Sequence, residues 1–157
     1  MTRNFLPTAV VALLLSSLAV ASAHEYALGA LKVVHPWSRA TPQGATTAVA
    51  YMKLINNGAT AIRLTGATSA AAQRVEIHEM SMDGGVMRMR PVHGVDIAPG
   101  ATVELKPSGM HLMLIGLKRP IAQEDLIPVT LSFADGTALA IDVYVEAAGA
   151  GATAHDH

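Results

Sequence analysis

The chain has 157 residues, with 11 basic, 12 acidic and 7 histidine side chains, a formal charge of −1, 8 methionines and no cysteine. That length suits one domain around one core, and a near-balanced charge without any Lys/Arg run excludes nucleic acid or an anionic membrane surface as an electrostatic partner. The absence of cysteine excludes disulfide staples, thiolate metal centres and a lipid attached to a cysteine after the first apolar run.

In chain order, Arg3 precedes an apolar stretch over residues 5–19, and Ala21-Ser22-Ala23 forms an A-x-A site. Residues 1–23 therefore read as a cleaved secretory signal peptide, too short for a spanning helix. His24 becomes the mature N-terminus, and export to the periplasm is expected. Later apolar stretches fall short of membrane-spanning length. Strands are expected over residues 31–34, 46–55, 61–65, 74–81, 86–90, 102–105, 110–115, 128–133 and 138–145, from β-branched or alternating apolar residues. Turn signals separate them, among them Asn56-Asn57-Gly58, Asp83-Gly84-Gly85, Pro107-Ser108-Gly109 and Asp135-Gly136. Residues 67–72 offer at most one helical turn. So many short strands predict an antiparallel β-sandwich or barrel over residues 24–146. Residues 147–157, small and polar and closing on His155-Asp156-His157, read as a flexible tail. A monomer is expected.

Four residues carry the chemistry: His78, Met89, His111 and Met113, spaced H-x10-M-x21-H-x-M. Two imidazoles and two thioethers make a poor site for a hard ion and suit soft Cu(I). Without a thiolate, the His2Cys site of blue-copper electron carriers cannot be built, so the chemistry points to holding and passing on cuprous ion. A hairpin turning on Asp83-Gly84 would set His78 directly opposite Met89 and Glu79 opposite Arg88. His111 and Met113, two apart on a strand, share a face, while Leu112 and Leu114 point to the core. Strand geometry thus prearranges each half of the site without establishing that the halves meet. Met80, Met82, Met87 and Met110 read as core filler or site rim, Met52 as core, and His35 and His93 as surface or loop residues. No Ser/His/Asp or paired-carboxylate arrangement offers a hydrolytic site.

The segment from Val75 to Pro120 contains V-E-I-H-E-M, D-G-G-V-M-R-M-R and M-H-L-M-L-I-G-L-K-R-P, with H-P-W-S-R-A-T-P around Trp37 upstream and L-I-P-V-T-L-S-F downstream. It closely resembles the periplasmic copper chaperones called PCuAC, whose signature is this same spacing. The resemblance implies a cupredoxin-like Greek-key β-sandwich and His78, Met89, His111 and Met113 as Cu(I) ligands. It also implies delivery of copper toward cytochrome c oxidase, often alongside a thiol-bearing Sco-type protein. Ser108, where glycine is usual, and the glycine-free turn Gln123-Glu124-Asp125 depart from the family pattern in loops only. The expectation is a carrier and not an enzyme. A copper enzyme built on a mature N-terminal His24, or a merely structural sandwich, are the alternatives. An auxiliary Cu(II) site from His24, His155 and His157 is a further expectation, since nitrogen and oxygen donors suit Cu(II).

Overall fold

The computed structural model describes residues 24–149, and within them the chain is built of strands and turns. The strands are β1 (Glu25–Leu28), β2 (Leu31–Arg39), β3 (Thr47–Asn56), β4 (Ile62–Thr68), β5 (Ala72–Asp83) and β6 (Val86–Pro91). They continue with β7 (Val95–Ile97), β8 (Thr102–Leu105), β9 (Met110–Leu117), β10 (Leu126–Phe133) and β11 (Ala138–Glu146). The period-2 alternation does what it should. Ile127, Val129, Leu131 and Phe133 of β10 are buried, as are Ile141, Val143 and Val145 of β11, while the intervening residues are more open.

All eleven strands form one sheet that closes on itself, running β2–β11–β10–β4–β5–β9–β3 and back to β2. The inward side chains fill its centre, with Leu54, Leu64, Leu112, Leu114 and Leu131 fully buried. The result is the expected all-β architecture, with the sheet closed as in a barrel. One pairing departs from the antiparallel expectation: β11 runs parallel to β2 through Tyr144↔Trp37 to Glu146↔Arg39. Parallel neighbours require a long connection, and these two strands stand at opposite ends of the domain sequence.

Two strands escape the sequence pattern. β7 has three residues, and β1 directly follows the expected cleavage site. The candidate helical turn does not form. Ala67 and Thr68 belong to β4, where Ala67 is buried and paired with both Leu131 and Val75, so sheet pairing overrides the helical preference of alanine.

β2 runs on past its expected end by means of a bulge. Its register against β3 shifts between Val34 and Trp37, at His35 (φ 49°) and Pro36, which has no N–H to give to a ladder. The bulge resets the alternation, so that Leu31 and Val33 and then Pro36 and Ser38 face inward. Trp37 and Arg39 are thereby turned to the outer face.

Candidate metal centre

β5 and β9 pair through Ile77↔Leu112, His78↔His111 and Glu76↔Met113. Directly opposed residues share a face, and faces alternate along each strand. Ile77, Leu112 and Leu114 therefore point inward, where all three are buried. Glu76, His78, His111 and Met113 point outward together. The neighbouring strands extend the same face, because Met113 opposes Val49 of β3 and Tyr51 of β3 opposes Trp37 of β2.

The two histidines that sequence could not bring together lie directly across a strand pair, with ring centroids 5.9 Å apart. The His111 ring has only 2% of its residue surface exposed and packs edge-on against Tyr51 at 6.4 Å, which in turn lies 4.7 Å from Trp37. Arg39 covers the outer side of Trp37 at 5.4 Å. Burial raises the Tyr51 phenol above its ordinary range, partly offset by the Arg39 charge. This aromatic wall closes one flank of the histidine pair.

Each ring has one nitrogen engaged and one free. His78 Nε2 lies 2.8 Å from Glu76 Oε2, and His111 Nδ1 lies 3.1 Å from the Gly109 carbonyl. An ionised carboxylate and a carbonyl only accept, so in the neutral rings these nitrogens carry the hydrogen. That leaves lone pairs on His78 Nδ1 and His111 Nε2, both buried and without a hydrogen-bond partner. Buried polar atoms are nearly always satisfied, and two orphans on adjacent rings are a pair of donors available to an electrophile. Burial holds the His111 imidazole below its ordinary range, only partly countered by the Gly109 carbonyl, and His78 lowers it further. The hydrogen bond from His78, followed by that from Arg74, holds the Glu76 carboxyl below the usual carboxylate range.

Glu76 was missed from sequence, although its signal was present: a carboxylate two residues before a histidine on a strand shares its face. A carboxylate on the distal nitrogen of a ligating histidine fixes tautomer and ring orientation and makes the ring more basic. Tyr51 and Trp37 were missed as well, because their place beside His111 follows from the β2–β3–β9 order and from the bulge at His35.

The hairpin register differs from expectation. β5 and β6 pair as Asp83↔Val86, Met82↔Met87, Met80↔Met89 and His78↔Pro91, with the turn on Gly84-Gly85 and not on Asp83-Gly84. Both turn residues have positive φ, 56° and 80°. This is the demand of a tight two-residue hairpin loop, met without strain by two glycines, whereas the other register would force Asp83 into that region. Met89 is consequently not opposite His78. It opposes Met80, one rung nearer the hairpin tip, on the same face as His78 and 46% exposed. Likewise Glu79 pairs with Arg90 at 2.8 Å, not with Arg88, which lies 3.8 Å from Asp83. The fold thus joins His78, His111 and Met113 on one strand pair and places Met89 on the adjoining hairpin arm.

The other histidines lie elsewhere. His35 sits in the bulge, 3.4 Å from Glu146, and His93 is exposed after β6. His24 accepts a backbone hydrogen bond from His35 and stacks its ring against Tyr144 at 6.4 Å. His155 and His157, like the signal segment, lie outside the described residues. Among the described residues, no three side chains drawn from His, Cys, Asp and Glu are grouped to hold a metal. A metal centre on this face with more than two protein ligands therefore needs thioethers.

Comparison with known proteins agrees with the all-β fold. Residues 31–145 match the family described as "Putative lipoprotein LpqE-like". A Leifsonia xyli protein, "Putative lipoprotein Lxx21020", is 36% identical over 117 residues, which make up 74% of this chain and 69% of that one. Among solved structures, the copper-bound PCuAC domain from PmoF2 is 31% identical and aligns with a TM-score of 0.68, covering 79% of this chain and 98% of that domain. The Cu(I) form of DR1885 from Deinococcus radiodurans is 30% identical with a TM-score of 0.53, covering 71% of this chain and 74% of that one.

Proposed function

This chain belongs to the LpqE-like family of PCuAC type, and we propose that it is a copper chaperone holding Cu(I) through His78, Met89, His111 and Met113. The observation that carries the reading is the pair of unpartnered, buried nitrogens, His78 Nδ1 and His111 Nε2, on adjacent rings whose centroids lie 5.9 Å apart. The copper-bound and Cu(I)-bound relatives support the choice of ion.

Copper is cargo here, and no reaction is catalysed. His111 supplies a neutral donor because burial disfavours its protonated form. His78 is held by Glu76 with its proton on Nε2 and its lone pair on Nδ1. Met113 adds a soft donor from the same strand as His111, and Met89 adds one from the hairpin arm. None of these four neutral side chains cancels the ion's charge, so a thiolate acceptor gains an electrostatic advantage and can draw the ion away. Exposure of Met89 gives such an acceptor a side from which to approach.

Delivery outside the cytoplasm, in the periplasm after removal of residues 1–23, fits the family. A copper-acceptor protein is the partner, with cytochrome c oxidase assembly or a Sco-type thiol protein as the destination. No helix among the described residues is long and apolar enough to cross a membrane.

The test is titration with Cu(I) under reducing conditions against a competing chelator. One tightly held equivalent is expected, lost in the His78→Ala/His111→Ala double variant. Tight binding that survives in that variant would place the site elsewhere.

A further inference from the structure

Four methionines of the β5–β6 hairpin have no part in the core. Met52 is buried there and Met110 packs against it, but Met80, Met82, Met87 and Met89 do not, and Met82, Met87 and Met89 are 67%, 51% and 46% exposed. Filling core gaps, the ordinary use of methionine, does not account for them. Their arrangement is regular. Met80 opposes Met89 and Met82 opposes Met87 without a break in register, so all four share one face with His78, the next rung down.

The other face of the same hairpin carries Glu79, Ser81, Arg88 and Arg90, with Glu79 and Arg90 joined at 2.8 Å. The hairpin is therefore two-faced: ionic and hydrogen-bonding on one side, thioether on the other. Directly opposed side chains start with Cβ atoms about 4.5–5.5 Å apart. Methionine has three rotatable bonds beyond Cα, so the sulfurs of adjacent rungs can close on a single ion. Uncharged sulfur donors, with no nitrogen or carboxylate on the two rungs Met80–Met89 and Met82–Met87, select a soft monovalent cation over any hard one.

We propose that Met80, Met82 and Met87 form a second, weaker, thioether-only site for Cu(I), through which the ion passes between the hairpin tip and the histidine pair. This inference rests on the Cu(I)-carrier reading for its direction of transfer, but not for the existence of the hairpin site. Met89 is the shared rung: it opposes Met80 on one side and borders His78 on the other. Passage along the ladder as far as Met89 exchanges one neutral thioether for another, so no ligand has to gain or lose a proton on the way.

The experiment uses the protein labelled at its methionine methyl groups, titrated with Ag(I), a soft monovalent ion that does not change oxidation state. In the wild type, the first equivalent should shift the Met89 and Met113 methyls and the second should shift Met80, Met82 and Met87. In the His78→Ala/His111→Ala variant, the three hairpin methyls should respond from the first equivalent. A Met80→Leu/Met82→Leu/Met87→Leu variant should keep the first equivalent, lose the second and pass Cu(I) to a chelator more slowly. Hairpin methyls that stay in place through two equivalents, while Met113 responds to the first, overturn the second site and leave the carrier reading intact. Hairpin methyls that respond while Met113 does not, through two equivalents, would overturn the carrier reading and leave this site standing. Unchanged transfer from the leucine variant overturns the relay.

Discussion

Replacing Glu76 by alanine isolates what the carboxylate does for a histidine it does not outrank as a ligand. In the native protein Glu76 accepts from His78 Nε2 at 2.8 Å and from Arg74 Nε at 2.8 Å, so it is itself held in place while it holds the ring. Two consequences follow from its removal. The ring can exchange its proton between nitrogens, and it can rotate, since Nδ1 has no partner to anchor it. Partners of this kind around bound metals are worth about 10–100-fold in affinity, and the exposed setting of Glu76, with 36% of its side chain open, argues for the lower half of that range. Glu76→Gln keeps an accepting oxygen but loses the charge, so its loss should be smaller than that of alanine. Cu(I) competition against a chelator gives the affinities, and long-range 15N spectra of the histidines give the tautomers: Nε2–H for His78 and Nδ1–H for His111 in the copper-free protein. Alanine and wild-type affinities that coincide, with His78 still Nε2-protonated in the variant, would refute the argument that Glu76 sets the ring.

Met89→Leu should weaken Cu(I) binding without loss of stability, because it removes a soft donor at similar volume from a residue already 46% exposed; a fall in thermal midpoint to match would point to a packing role. The His111 pKa lies below its unfolded value near 6.5, so below that pH the unfolded chain binds more protons than the folded one. The His111 contribution to stability of the copper-free protein is therefore complete above about pH 6.5 and lost as pH falls through the folded pKa. Denaturant midpoints across a pH series should show this slope in the wild type and a shallower one in His111→Gln. Gly85→Val, at φ 80° with nothing near a new Cβ, should cost about 1–2 kcal/mol from backbone strain alone. A variant as stable as the wild type would mean that the turn is not centred on Gly84-Gly85.

Much of the fold was legible because a closed sheet has one inside: β10 and β11 declare themselves by alternation alone. What the pattern left out was whatever alternation does not encode. β7 is three residues long, too short for its alternation to stand out from the surrounding loop. The parallel contact between β2 and β11 joins strands from the two ends of the domain, and no local signal specifies such a partner. The bulge at His35-Pro36 carried no signal beyond a surface or loop histidine, yet it decides that Trp37 and Arg39 lie on the outer face and not in the core.

At the site, the instructive error is the hairpin register, and its consequence was limited by parity. The expected and actual pairings of β5 with β6 differ by two residues, Met89 facing Met80 where His78 had been expected. A shift by one residue would have turned Met89 to the side of Glu79 and Arg90, away from both histidines, because side chains alternate with period 2. A shift by two moves it one rung along the same face. That His78 and Met89 share a face, and that His111 and Met113 share one, was thus readable from their spacing, whereas the union of the two pairs depends on the β5–β9 register. Their distances were not, since those depend on which two residues the turn can bear at positive φ. Two glycines outcompete an Asp-Gly pair there, and that local preference sets Met89 on the exposed rung, where an ion can reach it from solvent.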